Sequence, residues 1–183
     1  MTASPTGSVT GSVVAVFVAP ESGAPPESQP AVSVHPDGIE GDRYRLGEGH
    51  FQLDACAVTL VAAEALDAVR DETGIDVSDG RHRRNVVIEG FGPGMDDLLD
   101  ATVAVGDALL RPTRRRPPCA HVEAVAGEDG LASALRTRGG LCCDVIAPGS
   151  VAVGDAVAIE EPDPRTAGAA LADRLRERSD DVD

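Results

Sequence analysis

The sequence contains no lysine: all 16 basic residues are arginine, set against 31 acidic ones for a formal net charge of −15. Without a lysine amine there is no internal Schiff base to pyridoxal phosphate, no Schiff-base aldolase chemistry and no phosphate-loop lysine. Tryptophan is also absent, and aromatic residues make up only 2% of the chain. The core must therefore be built from Val, Ala, Leu and Ile, and nucleic acid would find few stacking platforms. A chain this acidic repels phosphate backbones, so no nucleic-acid partner is expected. No apolar run approaches membrane-spanning length, so no membrane partner is expected either. Residues 1–10 are uncharged and rich in Ser, Thr and Gly, which is not the pattern of a secretory leader.

What is present suits one globular domain. The chain has 183 residues and is 42% hydrophobic, enough for a single buried core. Acid-rich, lysine-free composition is what a salt-adapted cytoplasm favours, because high ionic strength screens the self-repulsion of the net charge. A halophilic, cytoplasmic protein is the expectation. The four cysteines are Cys56, Cys119, Cys142 and Cys143. No C-x-x-C pair occurs, so structural zinc is not indicated. Adjacent Cys142 and Cys143 point to opposite faces of a strand, which argues against clustering, and cytoplasmic thiols are expected to be reduced.

Hydrophobic patterning predicts strands over residues 12–19, 31–35, 57–61, 85–88, 142–147 and 157–161, with alternation around a Gly-Asp turn over 101–113. It predicts helices over 62–73 (ended by Gly74), 120–125 and 131–138 (ended by Gly139-Gly140), and a helical turn over 95–100. The domain reading is a flexible N-terminal arm over 1–11, one domain over 12–161, and a C-terminal surface helix with an acidic tail over 162–183. Short strands separated by Gly, Pro and Asp turns indicate a mainly β barrel or sandwich with a few short helices. The segment 103–108 (VAVGDA) recurs at 151–156. Two copies cannot form an array, so the echo is one turn device used twice, and its Gly106, Asp107, Gly154 and Asp155 are structural.

Three segments could carry chemistry. In Arg114-Arg115-Arg116-Pro117-Pro118-Cys119-Ala120-His121, guanidinium charge favours a thiolate over a thiol at Cys119. The prolines stiffen the approach, and His121 is placed to assist proton transfer. The same residues also read as solvated charge beside a small buried hydrophobe. Gly38 to Tyr44 holds Asp42 and Arg43 beside two glycines, a polar ligand turn or simply a surface loop. Arg81-His82-Arg83-Arg84-Asn85 offers guanidinium groups for phosphate and an amide for a ligand or a turn. If a barrel brings these segments to one mouth, with the Arg136/Arg138 pair, they make an anion pocket edged by a thiol.

Taken in order, Gly38-Ile-Glu-Gly-Asp-Arg43, Ala57 to Leu66, Arg84-Asn85-Val-Val-Ile-Glu-Gly90, Val105-Gly-Asp107, Arg116-Pro-Pro-Cys119 and Gly149 to Asp155 resemble the MOSC domain, named for the C-terminal part of molybdenum cofactor sulfurases. The resemblance implies a β-barrel of the pyruvate-kinase type. It implies a molybdenum–pterin cofactor, with Cys119 either ligating molybdenum or carrying sulfur as a persulfide. Arg43, Arg84, Arg114 and Arg116 would then neutralise the pterin phosphate, and Asp42 and Asn85 would orient the ligand. A sulfur donor such as a cysteine desulfurase is the implied partner. The alternative implied activity is a stand-alone molybdenum reductase of N-hydroxylated compounds, which would need an electron-transfer partner. A non-catalytic interaction module with an inert Cys119 is the third reading. The oligomeric state is left open.

Overall fold

The computed structural model describes residues 8–46 and 56–160. Its centre is a closed seven-stranded barrel. The barrel strands are β1 (Ser8–Val18), β5 (Val58–Ala62), β6 (Val86–Glu89), β7 (Thr102–Val105), β8 (Ala108–Arg115), β9 (Leu141–Ala147) and β11 (Ala156–Glu160). Around the barrel the order is β11-β7-β8-β9-β5-β6-β1, and β1 closes it by pairing antiparallel with β11. Closure leaves these strands without a free edge. Only β5 and β6 run parallel, and the crossover between them is helix α2 (Ala63–Thr73). A short strand β2 (Glu27–Ser28) adds to β1. A separate three-stranded sheet joins β10 (Gly149–Ala152), β3 (Ala31–His35) and β4 (Gly38–Ile39).

The strand periodicity explains the core. Val58 and Leu60, Val86 and Ile88, and Val103 and Val105 each sit two residues apart, on one face, and meet in the same buried cluster. The opposite face of β5 and β6 is buried as well: Val61 and Val87 pack with Phe17, and Ala63 and Leu66 of α2 lie against them. This two-sided burial is why 58–62 reads as an unbroken apolar run. A smaller cluster joins Val69 of α2, Val77, Val122 and Ala126 of α3 (Ala120–Ala126) and Leu131 of α4 (Leu131–Ala134). It seats α3, and therefore the cysteine before it, on the outside of the barrel.

The expected β-barrel with few short helices is the observed fold. Gly74 ends α2 in the left-handed region (φ 78°), donating its N–H to the Arg70 carbonyl. Helix α4 stops at Ala134, shorter than the helix expected over 131–138, and residues 135–138 continue as turns. The reason is local: Gly139 and Gly140 must pass against β5 and the Arg116 segment, so the chain turns early. Strand β10 and the four-residue helix α1 (Arg43–Leu46) were not expected. The repeated Gly-Asp turns pack on each other. Gly106 N–H donates to the Ala156 carbonyl at 3.1 Å, and the Asp155 carboxylate accepts from Ala152 N–H at 2.8 Å. A Cβ on Gly106 would stand 2.4 Å from that carboxylate.

The expectation that all the thiols are reduced is corrected. Cys56 and Cys142 form a disulfide. Antiparallel pairing sets Thr59 opposite Cys142 and Val58 opposite Cys143, so the two adjacent cysteines do take opposite faces. That alternation sends Cys143 into the barrel core and leaves Cys142 beside Cys56, at a Cα–Cα distance of 4.7 Å. β1 begins at Ser8. Residues 1–7 of the expected arm and the helix and tail expected over 162–183 lie outside the described residues. Among the described residues no helix is long and apolar enough to cross a membrane.

Candidate functional site

The pocket at one side of the barrel forms where the loop after β4, the loop before β6 and the segment linking β8 to α3 meet. Arg43, Tyr44, Arg83, Arg84, Arg116, Pro117, Pro118, Cys119, His121 and Val122 line it. Cys119 is a free, exposed thiol at the extended residue (φ −137°, ψ 168°) that begins α3. Its carbonyl accepts the Val122 N–H at 3.0 Å, so the backbone there is fixed while the sulfur stays accessible.

Asp42 and Asn85 form the scaffold under this pocket. Asp42 is 1% exposed; its carboxylate accepts from the N–H groups of Ala19 and Tyr44 and from Asn85 Nδ2, each at 3.2 Å, and pairs with Arg43 at 3.4 Å. The Asn85 Oδ1 accepts from Thr59 N–H at 3.1 Å and from Thr59 Oγ1 at 3.0 Å. The pair thus ties β1, β5 and the loop before β6 together. Both side chains spend these hydrogen bonds inside the protein, and neither lines the pocket.

Above this scaffold positive charge is concentrated and largely buried. Arg43, Arg83 and Arg84 are 5%, 8% and 4% exposed. Arg84 donates from Nε to the Gly139 carbonyl at 2.6 Å and from Nη1 to the His82 carbonyl at 2.9 Å, while its Nη2 is buried without a partner. Burial pushes Arg84 down to about 9, and the Arg116 charge adds to the push; Tyr44 and Cys119 act in the opposite direction, which places the thiol within electrostatic reach of that guanidinium. Arg83, held at a positive φ of 65°, donates to the Ala24 carbonyl, and burial pushes it down to about 10. A bulky residue in that region is strained, and such outliers gather at binding sites. Arg116 donates from Nη2 to the Tyr44 hydroxyl at 2.6 Å, and its Nε is buried without a partner. The Arg43 and Arg116 guanidinium carbons lie 4.5 and 5.6 Å from the Tyr44 ring centroid.

His82 sits behind the pocket, fully buried. Its Nδ1 accepts the Arg84 N–H at 3.0 Å, its ring meets Phe17 edge-on at 5.5 Å, and burial holds it down at about 3, so it is neutral. Cys143 is buried too, and burial pushes its thiol well above the ordinary range. That leaves Cys119 as the accessible thiol among the described residues.

Of the residues singled out from the sequence, Arg43, Arg84, Arg116, Cys119 and His121 come together here. Arg114 lies exposed on β8, opposite Cys142 in register, and does not line the pocket. The strand geometry explains this: in a run of three arginines leaving a strand, only the last reaches the pocket. Tyr44, Arg83 and the Gly139 carbonyl are additions. Tyr44 and Arg83 sat inside motifs already noticed, whereas nothing in the sequence links Gly139 to Arg84.

The family model for the MOSC domain matches residues 47–158. The chain belongs to the MOSC domain family. The match includes Arg84, Arg116 and Cys119 and begins after the Gly38–Arg43 turn. Solved MOSC-fold structures agree with the architecture. The YuaD protein of Bacillus subtilis has a TM-score of 0.64 at 19% identity, over 80% of this chain and 93% of that one. YiiM of Geobacillus stearothermophilus has a TM-score of 0.59 at 16% identity, over 86% and 77%. YiiM of Escherichia coli has 0.58 at 15%, over 82% and 70%. No curated protein sequence matches the chain.

Proposed function

We propose that this MOSC protein binds a molybdenum–pterin cofactor by its phosphate, and that Cys119 supplies the sulfur atom that meets the metal. One observation carries the reading: four guanidinium groups converge beside an exposed thiol, and among the described residues a single carboxylate, Asp42, offsets them. Buried charge without a counter-charge is costly, and an anionic ligand is the remedy this arrangement fits. The two orphaned donors, Arg84 Nη2 and Arg116 Nε, are the groups such an anion would satisfy.

The donor set also fits. Among the described residues no group of three or more His, Cys, Asp or Glu side chains is placed to hold a bare metal ion. A single soft thiolate suits a metal that arrives with sulfur ligands of its own. The cavity beside Cys119 is about 30 Å³, room for about two waters, so it would take part of a ligand and not a whole cofactor. When bound, the group supplies two-electron redox chemistry at molybdenum. The chain's part is to hold the phosphate with Arg43, Arg84 and Arg116, to keep Cys119 accessible at the start of α3, and to place His121 beside it for proton transfer.

Cys119 can also act as a carrier. Its thiolate would attack the terminal sulfur of a donor's persulfide; the donor's S–S bond breaks, the donor leaves as a thiolate, and Cys119 holds the new persulfide with no net oxidation. Intact mass and metal content of native protein purified at high salt separate the two roles. Added mass of one sulfur, removed by reductant and absent from Cys119→Ser, marks the carrier. Stoichiometric molybdenum with a released pterin, lost in Cys119→Ser, marks the ligand. Native protein that takes up neither sulfur nor pterin when supplied with a persulfide donor or the cofactor overturns the proposal.

A further inference from the structure

Arg116 and Pro117 line a second cavity as well as the Cys119 pocket. This neighbour is about 190 Å³, several times larger than the 30 Å³ beside the thiol. Arg115, Arg136 and Arg138 surround it, with Gly139 and Gly140 forming part of the wall. One acid, Asp96, lies on it and is already engaged: it accepts from Arg115 Nε at 2.9 Å and again from Nη2. Arg138 is paired with Glu72, at 3.1 and 2.6 Å. Two charges remain unmatched. Arg136 makes no ion pair with any described residue, and Arg116 has only the neutral Tyr44 hydroxyl, with its Nε buried and unpartnered. In a chain of net charge −15, such a cavity is an electropositive exception.

We infer that this cavity is a second phosphoryl-binding site, continuous through Arg116 with the first, so that the ligand of this chain carries a diphosphate rather than a lone phosphate. Arg116 is the hinge of the argument. A guanidinium presents donors along more than one edge, and here Nη2 donates to Tyr44 while the side chain lines both cavities. One phosphoryl group beside Arg84 and a second beside Arg136 would share Arg116 between them. The larger cavity leaves space beyond the second group for an attached nucleoside, with Ala65, Met95 and Leu141 supplying apolar wall. The identity of the pterin half rests on the function proposed above. The two-phosphoryl site does not, because inorganic anions read it directly.

The test is calorimetric titration of the native chain with inorganic phosphate, inorganic pyrophosphate and cytidine 5′-diphosphate at low salt. Pyrophosphate is expected to bind at least tenfold tighter than phosphate. Arg136→Gln removes that preference, since it acts only on the larger cavity; Arg84→Gln weakens both anions; Arg70→Gln, on the exposed side of α2 where it pairs with Asp67, changes neither. Cytidine 5′-diphosphate binding tighter than pyrophosphate confirms the nucleoside space. Equal affinities for phosphate and pyrophosphate, or a preference that survives in Arg136→Gln, overturns the inference. Because Arg136 is exposed on a turn, that variant is expected to keep the wild-type unfolding midpoint. If the chain prefers pyrophosphate yet takes up no pterin or sulfur, the function above fails and this site stands.

Discussion

Arg84 donates from Nε to the carbonyl oxygen of Gly139 at 2.6 Å, joining the loop before β6 to a turn 55 residues further along. The next carbonyl, that of Gly140, accepts the Arg116 N–H at 2.8 Å. Two consecutive glycines therefore hold both arginines that bear the orphaned donors. Glycine is required at each. A Cβ on Gly139 would stand 2.6 Å from the Arg116 carbonyl, and one on Gly140, whose φ is +92°, would stand 2.1 Å from the Leu60 carbonyl.

Gly139→Ala is accordingly expected to destabilise the fold by about 1–3 kcal/mol, since backbone on the other side cannot yield as a side chain can. Gly140→Ala is expected to cost more, through strain at positive φ as well as overlap. Urea unfolding midpoints read both effects. The Gly139 variant should also bind pyrophosphate more weakly, because the Arg116–Pro118 approach must shift. A Gly139 variant with wild-type midpoint and affinity would show that the clamp does not position the arginines.

Asn85 supports the same pocket from below. Asn85→Ala removes the acceptor for Thr59 N–H and Oγ1 and one donor to Asp42, all in buried surroundings. Leaving these groups unsatisfied is expected to cost about 3 kcal/mol. A double-mutant cycle with Thr59→Val should show strong coupling, because both act in one network. Additive effects would mean that the two residues stabilise the barrel separately.

Much of this scaffold was legible in the sequence because it is local. Runs such as 58–62 and 86–89, bounded by turn residues, name their strands. Gly74 names the end of α2 because a left-handed residue is needed there. The ordered motifs identified the family. What stayed hidden depends on pairings distant in sequence. Cys56 meets Cys142, and the Arg84–Gly139 bond forms, only when β9 returns beside β5. Asp42 and Asn85 looked like ligand groups because polar side chains near glycines usually do; burial turns them inward. Arg114 looked equivalent to Arg116, yet β8 ends at Arg115, and Arg116 lies past it in the segment that lines the pocket with Cys119.

His82 gives the fold a pH signature. Its ordinary value is 6.5 and burial holds it at about 3 in the folded chain. Between these limits the unfolded state binds more protons, so stability rises with pH across the window and is lost as pH falls from about 6.5 toward 3. The loss amounts to a few kcal/mol at most over the full window. Carboxylates titrate in the lower part, so the interval from about pH 5.5 to 7 reports on histidines, and the variant separates His82 from the others. Urea midpoints should rise over that interval in wild type and stay flat in His82→Gln, whose amide oxygen can still accept the Arg84 N–H. Parallel slopes in the two proteins would assign the proton uptake elsewhere.

Cysteine reactivity tests the thiol arrangement as a whole. Cys119 is exposed, Cys143 is buried with its thiol pushed up by desolvation, and Cys56 and Cys142 are joined. Iodoacetamide should therefore modify Cys119 alone in the native chain. Unfolding without reductant should add Cys143, and reductant should then release Cys56 and Cys142. The disulfide spans 86 residues, a separation at which loop closure stabilises the fold by about 4.6 kcal/mol in the chain-entropy view, so reduction should lower the unfolding midpoint clearly. Pyrophosphate bound beside the thiol should slow Cys119 modification and leave the denatured-state rate of Cys143 unchanged. If Cys119 in the native chain reacts no faster than Cys143, the sulfur is not available to any ligand, and the anion pocket would have to serve binding without the thiol.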